Sequence, residues 1–65
     1  MVTSKLKQIR ENAGLSQSQL AAASSVDKMA ISRLERGETS ILETRLKTVL
    51  ALADALEVKD VRDLL

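Results

Sequence analysis

The sequence predicts an all-α fold, a compact five-helix bundle, on three observations. Proline is absent and glycine occurs only twice, at Gly14 and Gly37, so little interrupts a helix. Apolar residues recur at spacings of three and four, the period of a helix face. Serine or aspartate precedes most of these apolar runs, where the first turn of a helix needs an acceptor for its free N–H groups. With no Phe, Trp or Tyr, the core must be built from Leu, Ile, Val and Ala. Sixty-five residues form one domain, 1–65, which buries only about 60% of its unfolded surface, so its stability is modest.

Helix 1 is expected from Thr3 or Ser4 to Ala13, with Val2, Leu6, Ile9 and Ala13 on one face and Gly14 as a left-handed stop. Helix 2 opens with Ser16 as N-cap and Gln19 three residues on, a capping box, with Leu15 and Leu20 as its hydrophobic staple. Leu20, Ala21 and Ala23 are helix formers, and the small alanines let another helix approach. The helix ends at Ser24–Ser25. Helix 3 opens with Asp27 as N-cap, repeats the staple with Val26 and Ile31, turns Ala30, Ile31 and Leu34 inward, and stops at Gly37. A second capping box, Ser40 with Glu43, opens helix 4. Its apolar stripe is Leu42, Leu46, Val49, Leu50, Ala53 and Leu56, running to about Glu57. A short helix 5 starts near Asp60 and carries Val61, Leu64 and Leu65.

Composition excludes several functions. Without Cys or His there are no disulfides, no ordinary metal site and no familiar nucleophile–base pair, and no glycine loop cradles a phosphate. Carboxylates such as Glu35 and Glu38 have no cleft to work in, so an enzyme is not expected, nor is a cofactor. No apolar run approaches the roughly 20 residues that span a bilayer, and no cationic helix face carries aromatic anchors. A soluble, cytoplasmic protein is the expectation. Net charge is only +1, but residues 1–37 carry +3 and residues 38–65 carry −2. The basic half holds helices 2 and 3.

Helices 2 and 3, about residues 16–36, are joined by a tight turn. Helix 3 carries an outward row of Lys28, Met29, Ser32, Arg33 and Arg36. Two short helices so joined have the shape of a helix-turn-helix, whose second helix lies in the DNA major groove. The spacing i, i+1, i+4, i+5 puts Lys28, Met29, Ser32 and Arg33 on one stripe opposite Ala30, Ile31 and Leu34. Arg33 can donate two bonds to guanine O6 and N7, Lys28 can donate one, Met29 suits a thymine methyl and Ser32 can bond several base edges.

The ordered set LSQSQLA, Val26–Asp27 and ISRLERG resembles the Cro/repressor-type helix-turn-helix family, also called the xenobiotic-response-element family. ILETRLKTVLALADALEV is similar to its fourth helix, so the resemblance covers nearly the whole chain. It implies a lambda-repressor-like DNA-binding fold and double-stranded DNA as partner. It implies base reading by Lys28, Met29, Ser32 and Arg33. Phosphate contacts fall to Gln17 with Ser16 beside it, and to Arg36, Thr39 and Ser40 in the following loop. Arg10 and Glu35 match a charged pair bridging helices 1 and 3, structural first, with any phosphate contact from Arg10 secondary. The loop departs from the family: Glu38-Thr39-Ser40-Ile41 is slightly shorter than usual and carries an acid. That predicts a shallow salt dependence, on the order of two to four counterions per monomer. Ser25 and Glu57 also stand where relatives often place glycine.

A single recognition helix reads about four or five base pairs, so a homodimer on a pseudo-palindrome with half-sites roughly 34 Å apart, or a multiple of that, is expected. Val58, Val61, Leu64 and Leu65 are the expected dimer surface, although Leu64 has an equal use in capping the core between helices 1 and 4. The competing reading is an antitoxin-type interaction module. Its protein partner is a toxin, and low net charge and an acidic second half suit a basic protein. Relatives also often carry a C-terminal effector domain.

Overall fold

The computed structural model describes residues 4–65. Val2 and Thr3, placed by the sequence at the start of helix 1, lie outside the described residues. Among the described residues there are four α-helices: α1 Lys5–Asn12, α2 Gln17–Ser24, α3 Lys28–Glu35 and α4 Leu46–Ala55. A 3₁₀ turn, Ile41–Glu43, precedes α4 and another, Val61–Leu64, follows it. No strand occurs among the described residues.

The caps explain the boundaries. Ser4 Oγ accepts from the Lys7 N–H at 3.0 Å, and Gly14 reverses the chain at φ +75°. Ser16 and Gln19 form the reciprocal pair: Ser16 Oγ accepts the Gln19 N–H at 3.0 Å, and Gln19 Oε1 accepts the Ser16 N–H at 2.8 Å. At the end of α2 the buried Ser24 hydroxyl donates to Leu20 O at 2.7 Å and accepts from the Val26 N–H at 3.2 Å. Ser25 then takes φ +59°, a left-handed conformation that costs a non-glycine residue on the order of 1 kcal/mol. Glu57 does the same after α4, at φ +58°.

Four expectations are corrected. Helix 4 does not begin at the Ser40–Glu43 box, which caps only the first 3₁₀ turn. Thr44 and Arg45 are extended between that turn and α4. The Thr44 hydroxyl secures the break by donating to Ser40 O at 2.7 Å. Leu42 and Leu46, expected in the core, are instead 81% and 64% exposed. Helix 5 is a 3₁₀ turn, with Asp60 Oδ1 accepting the Arg62 N–H at 3.0 Å. Ala13, too, is exposed rather than buried.

The core is wholly aliphatic: Leu6, Leu20, Ile31, Leu34, Val49, Leu52, Ala53, Leu56 and Leu64. α2 packs on α3 and α4, α1 packs on α3, and the last 3₁₀ turn closes against α1 and α4. Leu15 and Val26, the outer halves of the two staples, are partly buried against this core.

Candidate nucleic-acid interface

Ile31 and Leu34 anchor α3 from below, which fixes what the helix shows above. Lys28, Met29, Arg33 and Arg36 are exposed, and Ser32 is half-buried. Arg33 borders a shallow cleft whose other walls include Thr39, Thr44, Arg45 and Thr48. A neighbouring cleft runs from the α2–α3 turn at Ser24–Asp27 to Arg45, Lys47 and Thr48. The fold therefore sets Arg45 in one cleft with Arg33, and Lys47 with Arg45 in the next. Summing charge by halves of the chain hid them in the acidic half.

One carboxylate ties three helices together. Arg10 Nε donates to Glu35 Oε2 at 2.7 Å and Arg10 Nη2 donates to Glu35 Oε1 at 3.0 Å. Arg10 Nη1 donates to Leu15 O at 2.7 Å, and Gln17 Nε2 reaches Glu35 Oε1 at 3.0 Å. The Arg10 and Glu35 side chains are 9% and 3% exposed. Arg10 is thus structural first: it is buried, and each of its three nitrogens already has an acceptor within the chain. Gln17 is half-buried, and its bond braces α2 against α3. An amide nitrogen has two N–H groups, so a second donor remains for a phosphate.

Burial pushes the Glu35 carboxyl up. The bonds from Arg10 and Gln17, with the charges of Arg10 and Lys7, outweigh it and leave Glu35 below the ordinary carboxylate value. The unfolded chain therefore takes up this proton first as pH falls. The contribution is complete above the unfolded carboxylate value of about 4.3 and is lost progressively as pH drops from there through the folded value. Thermal melts from neutral pH down to about pH 3 should show this acid loss, and Glu35→Gln should remove that part of it.

The remaining candidates are partly engaged within the chain. Arg36 Nη1 donates to Ser32 Oγ at 2.8 Å, and Arg36 Nε donates to the Glu38 carboxylate. Ser40 Oγ accepts the Glu43 N–H at 3.2 Å and donates to Glu43 Oε1 at 3.1 Å. Ser16 is exposed at the α2 cap, and Thr39 is half-buried in the Arg33 cleft.

On the C-terminal side Val58 and Val61 are half-buried and Leu65 is exposed, but Leu64 is withdrawn from the dimer surface because it completes the core. The larger apolar ridge is one the sequence assigned to the interior: Leu42, Leu46 and Leu50, all exposed. A groove of about 300 Å³ between Leu42, Leu46, Val61 and Leu65 continues it. Among the described residues no cluster of His, Cys, Asp or Glu is placed to hold a metal, and no helix is long and apolar enough to cross a membrane.

Residues 3–65 match the family model described as a helix-turn-helix domain. The solved structure of the restriction-modification controller protein C.AhdI from Aeromonas hydrophila is similar at 34% identity, with a TM-score of 0.80. The match covers 94% of this chain and 86% of that one. No curated protein matches. With the family model spanning nearly every residue and the capped α2–turn–α3 unit at its centre, the chain belongs to the helix-turn-helix family, in its Cro/repressor type.

Proposed function

We propose that this protein is a sequence-specific DNA-binding transcriptional regulator, a repressor that binds a pseudo-palindromic operator as a dimer. The carrying observation is α3 itself: Lys28, Met29 and Arg33 stand exposed on a helix whose opposite side is locked in the core. α3 enters the major groove, with Arg33 and Lys28 on guanine edges, Met29 on a thymine methyl and Ser32 as an adaptable partner. Gln17, Ser16, Arg36, Thr39 and Ser40 position the domain on phosphates, and Arg45 and Lys47 extend that basic border. The likeness to a protein named as a restriction-modification controller supports a regulatory role.

Dimerisation follows from arithmetic, because one helix reads too few base pairs to find a single site. The ridge of Leu42, Leu46 and Leu50, continued by Val61 and Leu65, is the surface we assign to the second copy. A toxin-like protein would use the same ridge in the interaction-module reading, and an unrelated subunit that co-purifies would favour it.

Selection of bound sequences from a random duplex pool, at stated salt, tests the proposal. Enrichment of a palindrome with half-sites about one or two helical turns apart supports both DNA reading and the dimer. Recovery of no consensus overturns the regulator. Arg33→Ala should weaken binding to the selected duplex by about 1–3 kcal/mol and relax preference at one base pair. An equal loss on random duplex would mean that Arg33 reads no base.

A further inference from the structure

Arg36 is the C-cap residue of α3, and its guanidinium bridges two groups. It donates through Nη1 to Ser32 Oγ on the α3 ridge and through Nε to Glu38 in the loop. The acid is held there by backbone. Gly37 turns at φ +79°, and the Glu38 N–H closes back on Arg33 O at 2.9 Å, satisfying a helix-end carbonyl. The loop thus delivers a carboxylate to the one arginine that closes the recognition helix.

Resting on the reading of α3 as the DNA-binding helix, we propose that Glu38 is an intrachain stand-in for a DNA phosphate on Arg36, exchanged for the real one when a duplex docks. A carboxylate and a phosphate oxygen address the same planar fork of donors. The two side chains are 54% and 55% exposed, and an exposed pair of this kind is weak because water screens it, so a phosphate can displace the acid at little cost. The buried Arg10–Glu35 pair is the opposite case and stays closed. Arg36 keeps its bond to Ser32 through the exchange, so the ridge is undisturbed. The displaced carboxylate remains near the backbone and opposes it. Glu38 thereby lowers the sequence-independent part of DNA affinity and shortens the stay on any duplex.

The test compares wild type, Glu38→Gln, Arg36→Gln and the double variant on a mixed-sequence duplex by fluorescence anisotropy over a salt series. Glu38→Gln should bind about three- to tenfold tighter at about 0.1 M salt and steepen the log–log salt slope by about one. In the Arg36→Gln background the same change should bring less than about a twofold gain. No gain from Glu38→Gln overturns the exchange, and so does a gain of equal size without Arg36, which would make Glu38 a merely repelling charge. A wild type that selects a consensus while Glu38 proves inert sinks this proposal alone. A wild type that binds neither the mixed nor any selected duplex at low salt sinks the regulator reading and the exchange together.

Discussion

Arg10→Ala is expected to cost about 3–5 kcal/mol, the largest effect of any single substitution outside the aliphatic core. The loss does not measure the strength of the ion pair. It arises because Glu35 would keep its charge in a site where its side chain is 3% exposed, with only the Gln17 bond and the charge of Lys7 left to answer it, while Leu15 O would lose its donor. A 65-residue chain has about 3–10 kcal/mol of total stability to draw on, so much of the variant should be unfolded at ambient temperature. Urea denaturation followed by circular dichroism reads this directly. Replacing both partners by apolar residues, Arg10→Met with Glu35→Leu, should recover most of the loss, since no buried charge is then stranded. A single variant that melts within about 1 kcal/mol of wild type would mean that water reaches Glu35 freely.

Ile31→Ala should destabilise by about 2–5 kcal/mol. Ile31 is fully buried on α3, so its removal empties space directly beneath the basic ridge. The packing is helix on helix with no aromatic side chain to shift into the gap, which favours the upper part of that range. DNA affinity should fall with the folded fraction and recover under conditions that restore folding, because no contacting side chain is altered. A neutral melt would place Ile31 in solvent and turn the whole ridge inward.

The local chemistry of the chain was the legible part. Ser4, Ser16, Asp27 and Asp60 each cap the element they precede, and Gly14, Ser25, Gly37 and Glu57 each adopt positive φ where a helix or its capping turn closes. These are short-range effects, decided within a few residues. The errors came where two long-range solutions share one pattern. Leu42, Leu46 and Leu50 have helical spacing whether they face the core or the outside. Of the expected stripe only Val49, Ala53 and Leu56 entered the core, joined there by Leu52, which was absent from that stripe although it is fully buried. Only the three-dimensional position of α4 against α2 decides between the two faces. The same holds for Arg45, distant in sequence from Arg33 and brought into one cleft with it by the fold. Residue type and family pattern pointed to Arg10, Gln17 and Glu35, but their convergence on one carboxylate depends on all three helices being in place.

That convergence bears on the thermodynamics of association. The backbone around α3 is braced by α1 and α2 before any duplex arrives, so docking need not order the scaffold. The entropy surrendered on complex formation then falls mainly on the rotamers of Lys28, Met29 and Arg33, of order 0.5–1.5 kcal/mol for each immobilised side chain.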